Sequence, residues 1–266
     1  MARQPVSALV VAHNEETQLD ACLATLGFAD EIIVVLDKCT DGSEAIARRY
    51  TDRIIAGSWP LEGPRRRAGI DACAHPWVLE IDADERVTPE LAAELLRFLE
   101  TPPQGYALVP IRNFIGGREI VYGWGAYNGV GAKPILFHKD AKDWGDQPVH
   151  PKIVLRGTRT RFSEGLIHYV DKDFADTLQR LNRYTSAHAL DLVDSGDIGT
   201  LGGNLRRMVT RFVKAYVQRK GYKEGATGLL LGIFAALYPI LSYLKAREIL
   251  ERREGSAKPP DLYPSG

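Results

Sequence analysis

The sequence predicts an α/β protein: a mostly parallel sheet covered by helices, followed by a helical extension. Three observations carry this. Up to Glu100, short β-branched apolar runs alternate with segments of helical period. Polar and acidic residues gather directly after those runs. From Leu201 onward the charge reverses, and helical periodicity runs through a basic and then an apolar tail.

The runs can be placed in order. Val6–Ala12 is apolar without helical period and reads as a buried strand. Asn14 offers a helix cap, with Leu19, Cys22, Leu23 and Leu26 on one face behind it. Glu31–Leu36 is a second strand, Asp37–Ser43 a polar loop and Glu44–Tyr50 a short helix. Arg53–Ala56 reads as a third strand, Pro64–Ala74 as a helix and Trp77–Ile81 as a fourth strand. Pro89 opens a helix over Glu90–Glu100, where a missing N–H costs nothing. From Tyr106 to His168 glycines and aromatics break the pattern, and strand-like runs recur at Tyr106–Ile111, Ile135–His138 and Lys152–Leu155. Asp173–Asp194 is helical, with Phe174, Leu178, Leu181, Thr185 and Leu192 near one face and Gly196 at its end. Asp197–Gly203 is the expected hinge between a body, residues 1–200, and a tail, residues 201–266.

The chain of 266 residues has zero formal net charge, yet its tail carries twelve Lys/Arg against five acids. The tail is therefore +7 and the body −7. This suggests an acidic body able to hold a metal and a basic tail that meets an anionic surface. The overall balance argues against a nucleic-acid binder that works by bulk charge. With 45 % hydrophobic and 26 % charged residues, long disorder and collagen are excluded. Cys22, Cys39 and Cys73 are odd in number and form no CxxC pair, so neither a zinc site nor a disulfide framework is expected. The N-terminal run lacks the charged start and long apolar core of a signal peptide, which leaves the body expected in the cytoplasm.

In parallel sheets ligands bind beyond the carboxyl ends of the strands, which selects His13–Glu16, Asp37–Ser43 and Asp82–Arg86. Asp82-Ala83-Asp84-Glu85 puts two carboxylates one residue apart at a strand end. Read alone, it is either a site for a hard divalent ion and a diphosphate or a solvated acidic turn. Asp37 either accepts a hydrogen bond from a uracil N3–H or a ribose hydroxyl, or belongs to a simple turn. Arg65, Arg66 and Arg67 oppose the dipole of the helix they begin; they meet an anion or form a solvated face.

The joint order of His13-Asn14-Glu15-Glu16, Asp37, Thr40-Asp41-Gly42-Ser43, the arginines and Asp82-Ala83-Asp84-Glu85 resembles the inverting family 2 glycosyltransferases of the GT-A fold. Lys38-Cys39 and Arg67 depart from the usual pattern. The run Asp82–Val87, the segment Asp146–His150 and the helical tail resemble the bacterial lipopolysaccharide-core β-glucosyltransferase branch. The resemblance implies a UDP-sugar donor, with Asn14, Glu15, Glu16 and Asp37 at the uridine. It implies Arg66, Arg67, Asp82, Ala83 and Asp84 near the diphosphate, and Mg²⁺ or Mn²⁺ on Asp84, with Asp82 acting directly or through water. Asp146 is the implied base and His150 its competitor. His150 and Trp124 are the acceptor-facing candidates. The implied reaction moves a hexose, glucose by this likeness, to a membrane glycolipid such as lipopolysaccharide core. A polyprenyl phosphate acceptor or an inactive nucleotide-binding scaffold are the alternatives.

In the tail, Asn204–Lys220 reads as a basic amphipathic helix that lies on a membrane surface, docks on a partner helix or covers the sheet. Gly225–Leu244 has no charged residue. It is expected as a helix or helical hairpin in one leaflet of the cytoplasmic membrane face, with a crossing helix or a buried core helix as the other readings.

Overall fold

The structure, a computed structural model, describes residues 3–127, 131–147, 151–253 and 255. His150 lies outside the described residues. The chain divides into two compact units, one comprising residues up to Arg112 with Gly129–Val170, the other Asn113–Asn128 with Asp171 onward.

The first unit is the α/β body. Its elements are β1 (Val6–Ala12), α1 (Leu19–Leu23), β2 (Glu31–Asp37), α2 (Ser43–Ala47), β3 (Ile54–Gly57), α3 (Glu62–Ala72), β4 (Trp77–Asp82), β5 (Glu85–Arg86) and α4 (Pro89–Phe98). Then follow β6 (Gly105–Ile115), β7 (Arg118–Glu119), β8 (Ala132–His138), β9 (Lys142–Trp144), β10 (Ile153–Leu155), β11 (Thr158–Arg161) and β12 (Leu166–Asp171). β6 runs from the first unit into the second, to which β7 belongs. The main sheet runs β3-β2-β1-β4-β8-β6-β12-β5. β3, β2, β1 and β4 are mutually parallel, while β8 joins β4 antiparallel.

All seven residues of β1 are buried. Successive side chains point to opposite faces, so a strand covered on both sides must be apolar throughout. Val6, Ala8, Val10 and Ala12 join a core with Leu19, Leu23 and Leu91. Leu9 and Val11 face the other way, with Ile33, Val35 and Ile70 of α3. The predicted order of β1 to β4 is observed, with ends shifted by one or two residues. One local expectation fails. Asn14 caps no helix: its φ is +55°, and α1 begins only at Leu19.

The second unit is mainly helical: α5 (Phe174–Ser195), α6 (Leu201–Phe212), a π-helical stretch Val213–Gln218 and α7 (Gly225–Arg253). Gly196 ends α5 at φ +75°, as read from the sequence, and Asp173 caps its start. The buried face of α5 is Thr177, Leu181, Thr185, Ala189 and Val193, whereas Phe174 and Leu178 are exposed. α5 and α6 both pack on α7. Packing therefore groups α5 with the tail and divides the chain before the glycine-containing hinge.

α7 is one continuous helix, not a hairpin. It is long and apolar enough to cross a membrane, and half of its apolar window is buried. α7 leaves Leu229, Ile233 and Leu244 exposed, and a longer row of exposed apolar residues lies on α6 and its π continuation. Leu201, Leu205, Val209, Val213 and Val217 recur every fourth residue and are each 40–58 % exposed.

Candidate functional site

Strand order makes the site. β1 lies between β2 and β4, so the chain reverses its direction of sheet growth beside β1. A crevice opens there at the carboxyl ends. Register places Val11 opposite Asp82 and Ala12 opposite Leu36. Asp37 and Asp82 thus end two strands that flank β1, two interstrand spacings or about 10 Å apart.

The first two loops are tied to each other. Asn14 Oδ1 accepts from Thr40 N at 2.8 Å, Glu15 N donates to Ser43 Oγ at 2.9 Å and Glu16 N to Asp41 Oδ2 at 3.0 Å. Glu16 in turn accepts from Gly42 N. These residues build a wall rather than present free groups. Asp37 is buried; it accepts from Trp59 N and Arg65 at 3.0 Å each, and His13 Nδ1 lies 2.6 Å from its carbonyl oxygen.

The three arginines of α3 find their anions within the chain. α3 starts at Glu62, so they occupy its second turn, away from the unfavourable end of the dipole. Arg65 pairs with Asp37. Arg66 pairs with Glu62 at 3.1 Å, Glu80 at 2.9 Å and Asp82 at 2.7 Å. Arg67 pairs with Asp146 and donates to the carbonyl of Trp144. Three acids separated by up to 109 positions, Asp37, Asp82 and Asp146, are gathered by consecutive residues of one helix. The contact needs Gly63, since a Cβ there would fall 2.0 Å from the carbonyl oxygen of Gly145.

Beside Asp82 lies a cavity of about 300 Å³ lined by a charge network. Glu80 and Asp82 are two residues apart on β4, so both face α3. Lys142 bonds Glu80 at 2.7 Å, and Lys133 bonds Asp82 at 3.2 Å and also reaches Glu85. Burial opposes ionisation of Asp82, but Arg66 and Lys133 outweigh it and hold the carboxyl well below its usual range. Glu80 is held low in the same way by Lys142 and Arg66. Glu85, by contrast, is pushed up to about 7 by burial and by the neighbouring Asp82 charge. Arg66 keeps its proton more tightly than usual, because the three carboxylates outweigh its burial.

Arg66 is expected at a diphosphate, but its guanidinium is engaged by three internal carboxylates. Asp82 is expected as a possible direct metal ligand, but each of its oxygens already carries a cation. Asp84 differs. Its Oδ1 is buried without a hydrogen-bond partner, and its Oδ2 lies 3.3 Å from His168 Nε2. An oxygen desolvated without compensation is costly unless something else meets it. A carboxylate and an imidazole on one side suit a divalent ion that takes its other ligands from phosphate and water. No group of three or more His, Cys, Asp or Glu side chains suited to a metal occurs among the described residues.

His168 escaped the sequence reading because it is distant in the chain. β12 brings it in by pairing antiparallel with β5, His168 opposite Glu85, and Tyr169 N bonds the Asp84 carbonyl at 2.9 Å. Lys133 and Lys142 were missed for the same reason. Glu80 left a signal, an acid inside the apolar run Trp77–Ile81. Ala83 is buried at the turn between the two aspartates. Trp124 belongs to the second unit, where it lines another cavity.

The family model described as Glycosyl transferase family 2 matches residues 7–162, more than half of the chain. The chain belongs to that family and is a glycosyltransferase. Among its relatives is the lipopolysaccharide core biosynthesis glycosyltransferase LpsC of Rhizobium meliloti, 25 % identical over 96 % of this chain and 95 % of that one. A glycosyltransferase of Rickettsia conorii is 24 % identical over 92 % of this chain and 90 % of its own. Among solved structures, S. aureus TarS 1–349 aligns with TM-score 0.45 and 12 % identity, covering 97 % of this chain and 94 % of that one. Glucosyl-3-phosphoglycerate synthase of Mycobacterium tuberculosis, solved with Mn²⁺ and UDP-glucose, aligns with TM-score 0.35 and 24 % identity. That alignment covers 42 % of this chain and 44 % of the synthase.

Proposed function

We propose that this glycosyltransferase moves a hexose, glucose by likeness to its branch, from a UDP-sugar to a membrane-held glycolipid with inversion at C1. The observation that carries the reading is Asp84: a buried carboxylate oxygen without a partner, beside an imidazole, at the mouth of the β1–β4 crevice. Asp84 and His168 are the residues to hold Mg²⁺ or Mn²⁺, with Asp82 acting through water. When bound, that ion neutralises charge on the leaving diphosphate.

The chain's own groups do the rest. The Asn14–Glu16 and Thr40–Ser43 loops and Asp37 form the uridine side of the crevice. Each carboxylate oxygen has two lone pairs, so Asp37 can still accept from uracil while Arg65 and Trp59 hold it. Asp146 takes the proton of the acceptor hydroxyl as that oxygen bonds C1 and the C1–O bond to the diphosphate breaks. Arg67 orients Asp146 until then. His150 and Trp124 remain the candidates for contact with the acceptor.

A cytoplasmic membrane face is supported by α6. Its stripe of exposed apolar side chains lies on a helix that also carries Arg206, Arg207 and Arg211. Such a helix lies in the plane of an anionic leaflet. On this reading residues 201–266 form the membrane-associating region, 1–200 the catalytic one, and α7 is a supporting helix.

The test is thermal melting with UDP-glucose, with and without Mn²⁺, together with slow UDP-glucose hydrolysis. A ligand at one hundred times its dissociation constant stabilises by about 2.7 kcal/mol. The reading expects a shift only when sugar nucleotide and ion are both present, and none in Asp84→Ala. A full shift and full hydrolysis in Asp84→Ala would overturn it.

A further inference from the structure

Arg86 follows the acids of the turn after β4 and is buried. Its guanidinium makes four hydrogen bonds, all to neutral oxygens. One terminal nitrogen donates to the carbonyls of Ala83 at 2.8 Å and Glu85 at 2.7 Å. The other donates to Gln18 O at 3.0 Å and to Gln18 Oε1 at 2.6 Å. Each of these nitrogens carries two hydrogens, so all four are used.

The two halves of the fork serve different segments. The first takes the carbonyl on either side of Asp84, so the backbone that carries that carboxylate is fixed from both ends. The second takes residue 18, at the end of the loop that begins at Asn14. Gln18 N and Leu19 N both donate to Glu15 O, at 3.0 and 2.8 Å, which closes residues 15–19 into one turn. The guanidinium also lies over the Tyr169 ring, 5.4 Å from its centre. Tyr169 follows His168 on β12, and its N–H donates to the Asp84 carbonyl at 2.9 Å. One planar cation thus touches the turn of Asp84, the strand of His168 and the loop on the uridine side of the crevice.

Burying a guanidinium is costly unless it is hydrogen-bonded in full. A neutral donor would be enough to brace one turn. A rigid fork of five donors spans several segments at once, which an ammonium on a flexible stem does not. We infer that Arg86 is a positioning residue for ion binding: it holds Asp84 and His168 in a fixed relation and fastens both to the loop of residues 14–18. This role rests on Asp84 and His168 being the pair that holds the ion. Groups that orient metal ligands from behind typically contribute about 10–100-fold to metal affinity.

The test titrates the full-length protein with Mn²⁺ in the presence of UDP and follows the electron paramagnetic resonance signal of the free ion. Calorimetry measures UDP binding without the ion. Arg86→Lys keeps the charge and loses the fork. It should weaken Mn²⁺ binding by about 10–100-fold and leave UDP alone unchanged to within about twofold. Gln18→Ala leaves the buried cation in place and removes one bond of the four, for a loss of about fivefold in Mn²⁺ affinity. Gln18→Glu keeps an acceptor there and should bind Mn²⁺ as the parent does. Melting curves accompany every variant. Parental Mn²⁺ affinity in Arg86→Lys, or equal losses of Mn²⁺ and of UDP alone, overturns the role. Should Arg86→Lys fold poorly, the Gln18 pair decides, and equal affinity in the two overturns it. Asp84→Ala tells the two failures apart. If that variant keeps full Mn²⁺ affinity, the ion-holding reading falls and the role of Arg86 with it. If it loses the ion while Arg86→Lys does not, the role of Arg86 alone falls.

Discussion

α3 and the stretch Arg211–Arg219 both carry three basic residues within a few turns, yet their surroundings differ. On α3, Arg65, Arg66 and Arg67 each meet a carboxylate from another part of the first unit. In the second unit, Arg211, Lys214 and Arg219 line a cavity together with Trp124, and Arg211 lies over the Tyr238 ring. The α3 arginines are internal counter-charges that pin the site acids in place. The same residue type thus ties distant carboxylates together in one unit and lines a cavity beside aromatic rings in the other.

The sharpest way to break that contrast is to remove the acids that α3 gathers. If Asp146 is the base, Asp146→Ala lowers sugar transfer by ~10²–10⁴-fold with melting unchanged. Near-normal turnover would reduce the Arg67–Asp146 pair to a surface tether. Asp84→Ala should cost on the order of 10²–10³ in rate, through lost charge stabilisation, and should abolish the response to added Mn²⁺. Retained ion dependence would move the ion away from Asp84.

Arg66→Met tests counter-charge directly. Removing one partner of a buried network costs about 3–5 kcal/mol, because the carboxylates left behind are uncompensated. Lys142 and Lys133 still face Glu80 and Asp82, so denaturant unfolding should show a loss near the lower end. A loss below about 1 kcal/mol, the range of exposed pairs, would mean the network is solvated. In the second unit, Val209→Ser with Val213→Ser should weaken binding to anionic vesicles by on the order of 1 kcal/mol per site, with melting little changed. Unchanged vesicle binding would hand the membrane role back to α7.

These units also differ in how far the sequence revealed them. The parallel core was legible because strands buried on both faces must be apolar throughout, and Val6–Ala12 and Glu31–Leu36 are nearly so. The acids at the strand ends were legible because topology puts ligands there. What was hidden is pairing across long separations. Nothing near Asp84 points to His168, which arrives through antiparallel pairing of a two-residue strand. Arg66 read as an anion site because its partners, Glu80 and Asp82, sit on a strand with no local link to α3. Asn14 read as a cap because local pattern favours one, yet its side chain bonds Thr40 in the loop after β2. The apolar segment of α7 read as a helix or a helical hairpin, and it is a helix; composition cannot tell lipid from a neighbouring helix as its cover. Half of its apolar window is buried, and α5 and α6 both pack on it.

The smallest predicted effect sharpens the electrostatics of the α3 network. Two neighbouring acids are driven in opposite directions, Asp82 far down by Arg66 and Lys133 and Glu85 up to about 7 by burial and by Asp82. An unfolded Glu titrates near about 4.3. Between that pH and about 7 the folded protein holds a proton on Glu85 that the unfolded chain has released. Stability from this group is complete below the unfolded value and falls as pH rises through the folded one. Asp82 adds no slope in that window, since it is ionised in both states, and its contribution is lost only in stronger acid. Glu85→Gln keeps the shape of the protonated side chain without its titration. The melting temperature of the variant relative to the parent should therefore rise as pH is taken from 5 to 7.5. A flat difference would mean that Lys133 keeps Glu85 ionised throughout, leaving the network with one more negative charge at neutral pH.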